Sequence, residues 1–105
     1  MEMTRLETLQ QLVEADPSDA TAWFLLGREL AADRPADAAD AFRGALRANP
    51  DYAAAYRQLG NALEAAGRTD EAAEVYREGV QVAERTHDLQ AGKEMNAFLK
   101  RIARG

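Results

Sequence analysis

The sequence predicts an all-α fold of stacked helix-turn-helix repeats, about six helices in all, and three observations carry that prediction. Alanine, the strongest helix former, is abundant, while proline, the strongest breaker, stands only at Pro17, Pro35 and Pro50. Apolar residues recur at helical intervals along the chain. A stretch of 33 to 34 residues also occurs twice in register.

The first helix is expected over 3–15, where Leu6, Leu9, Leu12 and Val13 share one face. Asp16-Pro17 ends it, because the residue before proline is pushed out of the helical region. Ser18, the only serine, lies in the helix-start stretch Asp16-Pro17-Ser18-Asp19 and is expected to cap. The second helix, 18–33, turns Trp23, Leu26 and Leu30 inward. Pro35 suits a first helical position and opens the third, 35–48, with Ala38, Phe42, Ala45 and Leu46 inward. Asn49-Pro50 repeats the break, and the fourth helix, 52–66, buries Tyr56, Leu59 and Leu63. Gly67 accepts the left-handed conformation that closes a helix. Thr69 is expected to cap the fifth, 69–85, with Asp70 and Glu71 favourable in its first turn. Its inward face is Ala72, Val75, Tyr76 and Val80. The last helix, 88–104, follows His87 and carries Met95, Phe98, Leu99 and Ile102. No segment alternates with period two, so no strand is predicted.

The self-similarity is specific. Asp16-Pro17 and Asn49-Pro50, Trp23 and Tyr56, Leu26 and Leu59, Gly27 and Gly60, and Leu30 and Leu63 are each 33 positions apart. Ala38 and Ala72, Phe42 and Tyr76, and Ala45 and Gly79 are 34 apart, so one residue is gained inside the turn. The pattern aromatic-x-x-Leu-Gly-x-x-Leu, then Ala-x-x-x-aromatic, then Pro resembles the tetratricopeptide repeat. Leu30 and Leu63 stand where that family often has tyrosine, and the second copy lacks the closing proline.

The resemblance implies paired helices stacked as a short right-handed superhelix. Gly27 and Gly60, with Ala38 and Ala72, would let the helices of a pair approach closely, and the aromatic residues would fill the space between neighbouring pairs. One domain is expected over 1–105: a leading half-repeat at 3–16, repeats at 19–51 and 52–86, and a closing helix at 88–104. Polar residues on the end helices, Glu7, Gln11 and Glu14 at one end and Lys93, Asn96, Lys100 and Arg104 at the other, suit caps of a complete array.

Composition removes whole classes of function. A net charge of −5 disfavours a nucleic-acid or membrane-surface binder, which needs a basic face. With no cysteine there is neither disulfide nor thiolate metal site. No apolar run is long enough to span a bilayer, and the charged N-terminus is unlike a signal peptide, so a soluble cytoplasmic protein is expected. Neither cofactor nor metal is expected. His87 is the only histidine, and Ser18 has no base in sequence reach. Glu71, Glu74 and Glu78, like Asp33, Asp37 and Asp40, fall opposite the apolar positions and read as solvated faces. The seven glycines are scattered and make no phosphate loop, and Lys100, Arg101 and Arg104 suit the negative end of a helix dipole. No enzyme is predicted.

What the resemblance implies about function is a protein-interaction module. In that family the stripe beside the core-facing one lines a concave groove that holds a peptide or helix. Here the stripe is Thr21, Phe24, Arg28 and Ala31 on the second helix and Ala54, Arg57, Asn61 and Glu64 on the fourth. An apolar anchor beside two arginines and an amide suits an extended peptide with an acidic group or free C-terminal carboxylate. Arg57 and Asn61, one turn apart, resemble the lysine–asparagine pair of carboxylate-clamp members, with Asn96 and Lys93 or Lys100 available on the last helix. The alternative is self-association as a homodimer through the end helices. Whether the last helix covers the groove is left open by the sequence.

Overall fold

The computed structural model describes residues 2–105, and among them the six expected helices form with no strand. They are α1 (Arg5–Ala15), α2 (Ala20–Leu30), α3 (Pro35–Ala48), α4 (Ala53–Ala65), α5 (Thr69–Thr86) and α6 (Leu89–Ala103). Each packs on the next in sequence, and α4 also meets α6, so the odd-numbered and even-numbered helices make two layers. The stack measures 48 × 28 × 18 Å.

Helix starts differ from the sequence expectation in instructive ways. Helix α1 starts at Arg5 rather than at residue 3, capped by Thr4, whose hydroxyl accepts from the Glu7 N–H (3.1 Å) while the Glu7 carboxylate accepts from the Thr4 N–H (3.2 Å). Asp19 rather than Ser18 caps α2, accepting from the Ala22 N–H at 3.0 Å. Ser18 instead gives its own N–H to Asp16 (3.0 Å), so the serine belongs to the turn. Thr69 does not cap α5 but is its first residue, behind Arg68. No side chain caps the starts of α3 and α5; there Arg34 reaches Asp37 and Arg68 reaches Glu71, both at 2.7 Å. Pro35 lessens the need at α3, having no N–H to satisfy.

The one-residue slip between repeats has a visible cause. Between α2 and α3 the chain turns through residues 31–34 without a left-handed residue. Helix α4 runs longer and is closed by Gly67 at φ +79°, with the Arg68 N–H on the Leu63 carbonyl at 2.8 Å. The end of α5 repeats that closure with His87 at φ +59° in the glycine's place and the Asp88 N–H on the Ala83 carbonyl at 2.8 Å.

Glycines and rings set the spacing within the pairs. A Cβ on Gly27 would overlap the Phe42 ring, one on Gly44 the Trp23 ring, and one on Gly60 the Tyr76 ring. The aromatic residues therefore seat within pairs, α2 on α3 and α4 on α5, rather than mainly between pairs as the repeat pattern suggested. Trp23 is only half-buried, its indole N–H donating to the Pro17 carbonyl at 2.9 Å. Between pairs, Met95 of α6 fills the place left by Gly79. Phe42, Tyr76, Leu59, Leu63 and Met95 are fully buried, in one apolar cluster running from Leu9 to Met95. Among the described residues, no helix is long and apolar enough to cross a membrane.

Candidate functional site

The even-numbered helices present the stripe expected to bind a partner. On α2, Thr21 and Arg28 are exposed and Phe24 is half-buried. Phe24 meets the Phe42 edge at 5.6 Å and stacks on Tyr52, at the start of α4, at 5.0 Å. Arg28 lies close enough to offset part of the upward push that burial gives the Tyr52 phenol. Phe24, Arg28 and Tyr52 thus form one aromatic-cationic patch where α2 meets α4. Nothing in the repeat pattern marks Tyr52; only its place after Asn49-Pro50 hints that it starts a helix.

On α4 the stripe is engaged by α6. Arg57 donates to Glu94 at 2.9 Å, and Glu94 also accepts from the Gln90 amide at 2.8 Å. Arg101 sets a fork on the Glu64 carboxylate at 2.8 and 2.9 Å and lies 5.6 Å from the Phe98 ring centre. The Tyr76 hydroxyl reaches from α5 between the helices to Glu64 (2.6 Å) and to Asn61 (2.7 Å). One hydroxyl proton cannot serve both acceptors; the ionised carboxylate takes it, and Asn61 with its amide nitrogen turned inward would donate to the phenol oxygen.

Electrostatics follow from these contacts. The Arg101 fork holds the Glu64 carboxyl below its usual range against the opposing effect of burial, helped by the Tyr76 hydroxyl. Burial, and then the bond to Glu64, push the Tyr76 phenol far above its usual range. Glu94 is held low chiefly by Gln90 and then, against burial, by Arg57. These pairs join residues 37 positions apart, so no local signal could have shown Glu94 or Arg101.

Asn96 stands elsewhere, exposed like Leu89 and Lys93 and lining with them and half-buried Gly92 a crevice between α6 and α5. The structure thus brings Arg57, Asn61 and Glu64 together with α6 and puts Phe24 beside Arg28. No hydrogen bond or ion pair among the described residues joins those two groups or reaches Asn96. Glu71, Glu74 and Glu78 are exposed as expected, but they wall a groove of about 760 Å³ whose other side is Arg43 and Arg47 and whose floor includes Leu46, Tyr56 and Leu59. Glu71 accepts from Arg43 at 3.4 Å and Arg68 at 2.7 Å. Among the described residues no cluster of histidine and carboxylates could hold a metal.

Comparison with known proteins agrees with the repeat geometry. The tetratricopeptide repeat family profile matches residues 28–86. A TPR repeat-containing protein of Pseudomonas aeruginosa is 31% identical over 100 residues, which cover 94% of this chain and 95% of that protein. The solution structure of a Bordetella parapertussis protein matches with a TM-score of 0.82 at 28% identity, over 98% of this chain and 90% of that one. A tetratricopeptide repeat domain protein of Salinibacter ruber matches with a TM-score of 0.74 at 28% identity, over 83% and 89% of the two chains. With more than half its length matched by the family profile and a relative aligned almost end to end, the chain belongs to the tetratricopeptide repeat family.

Proposed function

We propose that this chain is a protein-interaction module that takes a partner peptide or helix along the face of α2, α4 and α6. Tetratricopeptide repeats generally mediate protein–protein interaction and generally do not catalyse. The observation that carries the reading is the patch of Phe24 stacked on Tyr52 with exposed Arg28 beside it. A flat aromatic surface next to an arginine that has no carboxylate partner among the described residues suits an apolar side chain followed by an acidic group or a terminal carboxylate.

Arg57 contributes second. Its guanidinium is held by Glu94, so an incoming carboxylate must share or displace that partner. Thr21 lies exposed on the same stripe of α2, and on that of α4 Asn61 is exposed while Glu64 is half-buried under Arg101. The working surface is thus weighted toward the α2 end, with α6 covering part of α4. Affinity capture from the native cell extract tests this, with wild type beside Arg28→Ala and Arg57→Ala. Arg28→Ala is expected to lose the partner and Arg57→Ala to weaken it. A partner held equally by all three proteins would move the site off this face.

A further inference from the structure

Among the described residues, the four exposed large apolar side chains lie toward the two ends of the stack: Met3 (46% exposed) just before α1, Leu12 (49%) on α1, Leu25 (41%) on α2, and Leu89 (79%) on α6. Their places follow from the repeat register. Helix α1 precedes α3 by 33 residues, so Leu9 and Leu12 correspond to Phe42 and Ala45. On α3 that face packs against α2, with Phe42 seated at Gly27. On α1 Leu9 is itself buried in the apolar cluster, and of the two only Leu12 is left half in water.

Helix α6 is the converse. Counting from Asp88 as from the caps Asp19 and Tyr52, Gly92 stands where Trp23 and Tyr56 stand, and Asn96 where Gly27 and Gly60 stand. On α2 and α4 that face receives the following helix; on α6 it is open among the described residues. So α1 stands as a second helix whose matching face is only partly covered among the described residues, and α6 as a first helix whose second-helix face is open among them.

The two faces are opposite in charge, and one contact of the α2–α3 register fits them in size. In the α2–α3 pair the large Trp23 ring lies on Gly44. The corresponding residues are Gly92 on α6 and Gln11 on α1, with the glycine now on the other helix; Asn96 and Leu9 correspond to Gly27 and Phe42, a contact that must repack. Residues 2–19 carry Glu2, Glu7, Glu14, Asp16 and Asp19 against Arg5 alone, whereas residues 89–105 carry Lys93, Lys100, Arg101 and Arg104 against Glu94 alone. Of the four cations of residues 89–105 only Arg101 is ion-paired among the described residues.

We propose that the chain associates with further copies of itself head to tail: α6 of one copy and α1 of the next form a helix pair equivalent to α2–α3. Such a contact joins two different surfaces and leaves one of each free, so copies add in an open linear stack rather than closing as a symmetric dimer. Attraction between an acidic and a basic end makes the assembly sensitive to salt.

Sedimentation velocity on the full chain tests this, with wild type, Leu12→Glu, the double variant Leu89→Glu/Lys93→Glu, and an equal mixture of the two variants. The mass of wild type is expected to climb past a dimer with concentration and to fall as salt is added. Each variant alone stays monomeric. Their mixture gives a one-to-one dimer and stops there, because each variant keeps one working end. Circular dichroism checks that the helices survive; if Leu12→Glu loses helix, Gln11→Arg on the exposed side of α1 takes its place. Wild type that remains a monomer at millimolar concentration overturns the proposal, and so does a plateau at a dimer in wild type.

Discussion

At the scale of single residues, the molecule is governed by small contacts that admit no extra atom. Gly60 lies against the fully buried Tyr76 ring, and a Cβ there would overlap it. Gly60→Ala is expected to destabilise by about 1–3 kcal/mol despite alanine's better helix propensity, read from urea unfolding. Glu64 gives a pH-dependent counterpart. Its carboxyl is held low in the folded chain by Arg101, so its contribution to stability is present in full above the unfolded value of about 4.3. That contribution is lost as pH falls through the lower folded value. Glu64→Gln lacks it, so the urea midpoints of the two proteins should differ at neutral pH and converge only as pH falls below the lowered folded value. The core half of this chemistry was legible in the sequence, since Gly60 and Tyr76 fall at recurring positions. The Glu64–Arg101 fork was not, because nothing local to either residue points to the other.

At the scale of helices, chain reversals were read well and caps less well. Proline and glycine mark a break by backbone geometry alone, so Pro17, Pro35, Pro50 and Gly67 placed the helices within a few residues. Which of several neighbouring polar residues caps depends on where the first turn begins, and Ser18 and Thr69 each yielded to a neighbouring position. The two left-handed helix ends make a controlled comparison. Gly67 holds φ +79° without side-chain cost, while His87 holds +59° against the clash that disfavours this region for a residue with a Cβ. His87→Gly should therefore raise stability by about 1 kcal/mol, seen as a higher midpoint with an unchanged far-ultraviolet spectrum. No change, or a loss, would mean that the histidine side chain contributes something its contacts do not reveal.

At the scale of the whole molecule, one apolar cluster extends from Leu9 in α1 to Met95 in α6. With no buried polar residue among the described ones to divide it, the stack should unfold as a unit. Trp23, the only tryptophan, reports on α2, whereas circular dichroism reports on all six helices. Their urea transitions are expected to coincide; an earlier fluorescence transition would show that the α1–α2 end melts alone. The even-helix face was legible only as a stripe of residues. Its division into an open patch at Phe24, Arg28 and Tyr52 and a stretch of α4 bridged by α6 came from tertiary packing, which helical periodicity does not encode.

The ring-on-glycine contacts also bear on how this chain and its relatives can drift. A larger residue at 27, 44 or 60 is tolerable only if Phe42, Trp23 or Tyr76 shrinks, and a lone loss of the ring leaves a void where it lay. Each such pair must therefore change jointly or not at all. Across a collection of relatives, positions 27 with 42, 23 with 44, and 60 with 76 should vary as couples, and which member carries the bulk is free to alternate between lineages.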